Sequence, residues 1–137
     1  MKVNATVFKG LGVASKTIKI QMGMYPKEIR ELLSEIKIGT INLNLEVPVM
    51  ISNWDHVTER IQWTNSWPAE TFRLKQCLIS TATQKNMFCW VYRSSLSPHN
   101  VDPFRMEILA VPITGVESNA KVQLEFLGAE YIQTIHV

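Results

Sequence analysis

The stretch Thr40-Ile41-Asn42-Leu43-Asn44-Leu45-Glu46-Val47 alternates polar and apolar residues without a break, and it restricts the fold more than any other part of the chain. Side chains on a strand point to opposite faces in turn. Ile41, Leu43, Leu45 and Val47 therefore share one face, and Thr40, Asn42, Asn44 and Glu46 the other. A strand of this kind belongs to a sheet with a buried side and a polar side. Pro48 closes it or places its end at an edge. The same period recurs. Val3, Ala5 and Val7 alternate with Asn4 and Thr6, and Thr17-Ile18-Lys19-Ile20-Gln21 predicts a second strand. Further strands are expected at 71–80, 86–93, 105–113 and 120–126, with room for a last one at 131–137.

One segment has a different period. Ile29, Leu32, Leu33 and Ile36 fall at helical spacing behind Pro26, a residue suited to a first helical turn, which predicts one main α-helix over about 26–36. Many short strands and one helix point to a mostly β chain closed into a small barrel, because closure removes unpaired edges. At 137 residues the chain fits a single domain, 1–137. Polar residues and Trp54, Trp63 and Trp67 fill 52–70, which reads as a long connection with one short strand. These tryptophans either pack over the outside of the barrel or form a stacking platform.

Composition excludes several classes of function. A net charge of +2, from 14 scattered Lys and Arg against 12 acids, gives no grip on nucleic acid or an anionic membrane. The N-terminus lacks the apolar core of a signal peptide, and no apolar run approaches the roughly 20 residues of a bilayer span. A cytoplasmic protein is the default. Cys77 and Cys89 each sit in an apolar stretch, and the spacing favours two buried thiols in neighbouring strands over a disulfide or metal site. His56, His99 and His136 are far apart, and no Ser or Cys sits in a nucleophile motif.

Two short segments carry chemistry. In Gly10-Leu11-Gly12-Val13-Ala14-Ser15-Lys16 the glycines let backbone N–H groups approach an anion, while Ser15 and Lys16 offer a hydroxyl and a charge. The segment matches neither standard phosphate-binding pattern, and taken alone it is better explained as a tight strand-to-strand turn. In Gly39-Thr40-Ile41-Asn42, Thr40 and Asn42 project on one strand face, and their oxygens suit Mg²⁺. Taken alone, the segment is better explained as an ordinary polar strand face, continued by Asn44 and Glu46. Glu107, between Met106 and Ile108, should face away from both, and either meets a ligand or pairs with a base such as Arg105.

Taken in order, these features resemble the archaeal CTP-dependent riboflavin kinases. The Gly-x-Gly turn near residue 10 is similar to that family's Gly-Leu-Gly-x-Gly, and Gly39-Thr40-Ile41-Asn42 to its Gly-Thr-Leu-Asn. Cys89-Trp90-Val91-Tyr92-Arg93-Ser94-Ser95 is similar to its strand leading into a Lys-Thr-His loop. Met106-Glu107-Ile108-Leu109-Ala110-Val111-Pro112 resembles its Ile-Glu-Ile-Ile-Ala-Pro, and Lys121-Val122-Gln123-Leu124-Glu125-Phe126 its closing strand. The resemblance covers most of the chain. It departs where the family has a further Gly and an Arg and this chain has Ala14 and Ser15. It departs again where Ile113-Thr114-Gly115 replace a basic Lys-Leu-Arg.

The resemblance implies a six-stranded, cradle-like barrel that passes a phosphoryl group from CTP to riboflavin with Mg²⁺, giving FMN. It implies nucleotide contacts from Gly10, Leu11, Gly12, Val13, Ala14 and Ser15, and from Ile113, Thr114, Gly115 and Val116. Thr40 and Asn42 would hold the metal, Ser95 and Glu107 would meet the flavin, and Glu107 would be the catalytic base. The expected partners are therefore riboflavin and a nucleoside triphosphate, without nucleic acid or membrane, in a monomer or weak homo-oligomer. The rival readings are a non-catalytic flavin- or nucleotide-binding module on the same barrel, or an interaction domain using 54–67.

Overall fold

The computed structural model describes residues 1–8, 14–36, 40–66, 68–96, 100, 102–127 and 132–134, with backbone alone at 14–18 and 132–134. In chain order the elements are β1 (Lys2–Phe8), α1 (Ala14–Gly23), α2 (Lys27–Leu32), β2 (Ile41–Leu45), β3 (Val49–Ile51) and β4 (His56–Val57). They continue with β5 (Phe72–Ser80), β6 (Met87–Ser94), β7 (Arg105–Ala110), β8 (Lys121–Phe126) and β9 (Ile132–Thr134).

The alternation read from the sequence becomes a closed antiparallel barrel. Its strands run β5-β6-β7-β2-β1-β8, and β8 returns to β5 through Cys77↔Phe126, Leu78↔Glu125, Ile79↔Leu124 and Ser80↔Gln123. The expected six-stranded barrel is the fold. Strand β5 is divided between two neighbours on that side. Arg73 and Leu74 pair with β4, while Cys77 to Ser80 pair with β8, so the wall parts at the start of β5. Strands β3 and β9 form a separate two-stranded sheet.

The inward set fills the barrel. Val3, Ala5, Val7, Leu43, Leu45, Cys77, Ile79, Cys89, Val91, Met106, Ile108, Ala110, Val122, Leu124 and Phe126 are all buried in one cluster. Fully burying one side chain of this size contributes about 1.5–3 kcal/mol, so the inner set is the main source of stability. Cys77 and Cys89 are direct cross-strand partners with sulfurs 3.1 Å apart, both buried as free thiols.

A second cluster covers the outside of β5, β6 and β7. Phe72, Leu74, Tyr92 and Leu109 project from the wall and pack under Tyr25, Ile29 and Leu33. This cluster explains why α1 is a helix where the sequence predicted a strand at 17–21. Gln21, Tyr25, Ile29 and Leu33 recur every four residues and are all buried, whereas Ile20 is exposed. A strand through Thr17-Ile18-Lys19-Ile20-Gln21 would break that stripe. The helix expected over 26–36 is also shorter. It spans Lys27–Leu32, Pro26 stands at its N-cap, and turns follow through Glu35. Leu32, expected on the apolar face, is exposed. Strand β7 ends at Ala110, three residues before its expected end at 113, as Pro112 cannot donate to a ladder.

The 52–70 connection carries one short strand, β4, plus a bridge between Ile61 and Glu70. Trp63 packs on the outer cluster and donates to Glu70 Oε2 at 2.5 Å, while Trp54 packs at the edge of the inner one. Trp67 lies outside the described residues. Among the described residues no helix is long and apolar enough to cross a membrane.

Candidate functional site

Strand pairing draws a row of polar side chains across the outer face of the barrel. Asn42 is the direct partner of Phe8 on β1 and of Glu107 on β7, and Glu107 is the partner of Tyr92 on β6. Beyond Tyr92 the row continues through Leu74 to His56. Tyr92 belongs to the outer cluster, so Glu107 beside it faces outward, as its place between Met106 and Ile108 requires. Asn42 is only 8% exposed, so its amide sits in a covered polar strip rather than on an open strand face.

Thr40 immediately precedes β2, on the same side of the chain as Asn42. Its hydroxyl oxygen is buried and has no hydrogen-bond partner among the described residues. A buried hydroxyl without a partner costs roughly 1–3 kcal/mol, so this oxygen is where a ligand would be welcome. No cluster of three or more His, Cys, Asp or Glu suited to a metal occurs among the described residues. Among the described residues, a cation here would meet the hydroxyl and amide oxygens of Thr40 and Asn42, with Glu107 on the paired strand. Such a weak, hard donor set leaves places for water and phosphate, as Mg²⁺ favours.

Electrostatics single out Glu107. Burial pushes its carboxyl up to about 7, against the opposing pull of the nearby Arg93 guanidinium. It therefore takes up and releases a proton close to neutrality, a property concentrated at functional sites. Arg105, which the sequence offered as a partner for Glu107, is engaged elsewhere. Asp102 approaches its Nε at 3.5 Å, and its guanidinium lies 4.0 Å from the centre of the Phe8 ring. Burial also pushes the Tyr92 phenol far up, and Tyr92 donates its hydroxyl hydrogen to Gln21 Oε1. Tyr92 and Gln21 thus join the row to α1. Alternation could have placed Tyr92 outward beside Glu107; nothing local marked Gln21, because its segment read as a strand.

The other expected residues fall in three groups. Gly10, Leu11, Gly12 and Val13 lie outside the described residues. Ala14 and Ser15 open helix α1, so their backbone N–H groups belong to a first helical turn. Ile113, Thr114, Gly115 and Val116 strap the β5–β6 hairpin. Thr114 N–H donates to Gln84 Oε1 at 2.7 Å, and the Thr114 carbonyl accepts from Thr81 Oγ1 at 2.9 Å. Ile113 and Val116 pack against the inner cluster. Ser95 is not brought to Glu107. It lies three residues beyond Tyr92, roughly 10 Å along the strand direction, and its Oγ accepts the Thr71 N–H at 3.0 Å.

No family model matches this chain, and no curated protein matches it.

Proposed function

We propose that this barrel is a riboflavin kinase-like phosphotransferase, moving a phosphoryl group from a nucleoside triphosphate, CTP by resemblance, to riboflavin with Mg²⁺. The observation that carries the reading is the direct strand pairing of Asn42 with Glu107, two residues on from Thr40, whose buried hydroxyl meets no partner among the described residues. Phosphoryl transfer asks little of a protein beyond positioning and charge neutralisation. Mg²⁺ held by Thr40 and Asn42 would supply the charge neutralisation. Glu107, poised near neutrality, suits a base that orients or accepts the proton of an attacking hydroxyl. The backbone N–H groups of the first turn of α1, at Ala14 and Ser15, suit a phosphate.

A second reading is favoured by a specific observation. Ala14, Ser15 and 113–116 include no cation, and Thr114 spends its backbone polar groups on the hairpin. A barrel with so little positive charge near a triphosphate fits a flavin-binding module without turnover. Riboflavin phosphorylation measured with CTP, ATP and GTP side by side separates the two. FMN formation that Asn42→Ala or Glu107→Gln abolishes supports the kinase. Quenching of riboflavin fluorescence with no FMN from any nucleotide supports the module. No quenching and no FMN removes both.

A further inference from the structure

At the start of β5, where the barrel wall parts, lies a cavity of about 450 Å³. It sits between β3, the ends of β5 and β6, and the segment around Pro103. Its walls are mostly apolar, with Val49, Trp54, Pro103 and the buried Met106 among them. Its polar side is unusual. Arg73 and Arg93 are direct cross-strand partners, and both line the cavity.

Two like charges facing each other across a ladder are destabilising. No Asp or Glu lines the cavity among the described residues. Asp55 is committed to Lys75 Nζ at 3.3 Å and to the Gln76 N–H at 2.7 Å, and Asp102 to Arg105. Glu107 acts on Arg93, but it projects on the outer face beside Tyr92. The guanidinium of Arg73 lies 5.1 Å from the centre of the Trp54 ring, and its Nε is buried without a hydrogen-bond partner among the described residues. Arg93 gives one N–H to the Arg105 carbonyl at 2.9 Å. Burial, then the neighbouring Arg73, pull its pKa down. With Glu107 acting on Arg93, Arg73 is the cation that no acid faces among the described residues lining the cavity.

We propose that this cavity binds a small organic anion, a carboxylate carried on an apolar body. The paired guanidinium groups present the fork that carboxylates accept in bidentate fashion. An apolar body fits against Trp54 and Met106, and the volume lies in the range of small-molecule sites. An inorganic anion satisfies the charge and leaves the apolar walls bare. Arg93 lies between this cavity and Glu107, but the proposal does not depend on the reading given to the Thr40–Asn42–Glu107 row.

Benzoate and hexanoate, with benzamide, hexanamide and inorganic phosphate as controls, test the proposal on the full chain by calorimetry and tryptophan fluorescence. Saturable one-site binding of the carboxylates is expected, with the amides and phosphate at least tenfold weaker. Arg73→Gln should weaken benzoate about tenfold, the scale of one lost charge-assisted hydrogen bond, and Arg73→Lys should restore part of it. Removing one of two facing cations should also raise the melting temperature of the ligand-free protein, so the variant folds. Equal binding of benzoate and benzamide, or binding unchanged in Arg73→Gln, overturns the proposal. Failure of both carboxylates to bind overturns it as well.

Discussion

Tyr92 on β6 donates its hydroxyl hydrogen to Oε1 of Gln21, 71 residues earlier on α1, and this bond ties the helical cover to the barrel wall. Gln21 and Tyr92 are both buried, so a lost partner is not replaced by water. Tyr92→Phe should cost about 1–3 kcal/mol in urea denaturation. The hydroxyl of Tyr25 is buried close by and acts on the Tyr92 hydroxyl. Tyr25→Phe, which leaves the Tyr92–Gln21 bond in place, should cost less than Tyr92→Phe by the same measurement.

Glu107 links stability to pH. Its folded value, about 7, is raised from an ordinary value of 4.5, so the folded chain holds the proton longer than the unfolded one. Its stabilising effect is complete below about 4.5 and is lost as pH rises toward 7. Glu107→Gln should remove this loss. The variant should gain on the wild type by about 1–3 kcal/mol between pH 4.5 and pH 8, read from thermal melts.

Gly115 holds a backbone angle of φ +81°, and a Cβ added there would stand 2.8 Å from Thr81 Oγ1 and 2.9 Å from Thr81 Cβ. Gly115→Ala meets both strain and a clash, and should cost about 1–3 kcal/mol. Chemical denaturation checks this. Thr114→Val, which leaves the backbone strap intact, should cost less.

Cys77 and Cys89 should stay unlabelled by a thiol reagent in the folded protein and react together on unfolding. The neighbouring thiol of Cys77, then burial, push the Cys89 thiol up, and both sulfurs lie inside the barrel. Labelling followed by mass spectrometry reads the result. Rapid labelling in native buffer would contradict the packing described.

The barrel was legible in the sequence because each of its strands buries one face, and Ile41, Leu43 and Leu45 or Val3, Ala5 and Val7 report that face directly. Helix α1 was not legible. Ile18 and Ile20 alternate with Thr17 and Lys19 as a strand would, while the stripe that decides its state, from Gln21 to Leu33, is spread over two helices and depends on Tyr92. The site was half legible. Spacing put Thr40 and Asn42 on one face, yet only the β2–β7 register brings Glu107 alongside. The facing pair Arg73 and Arg93 left no mark, since 20 residues separate them and their opposition is a matter of hairpin register.

Barrel closure has a consequence for how the chain is made. Strand β8 is the partner of both β1 and β5, so Lys2 awaits Glu125 and Leu78 awaits the same residue. Until residue 126 has left the ribosome, those two strands keep exposed ladder groups that invite pairing with other chains. Pairings this distant in sequence also make folding slow. Nascent chains stalled just before Lys121 should therefore be the form most prone to aggregate, and the form a chaperone holds longest.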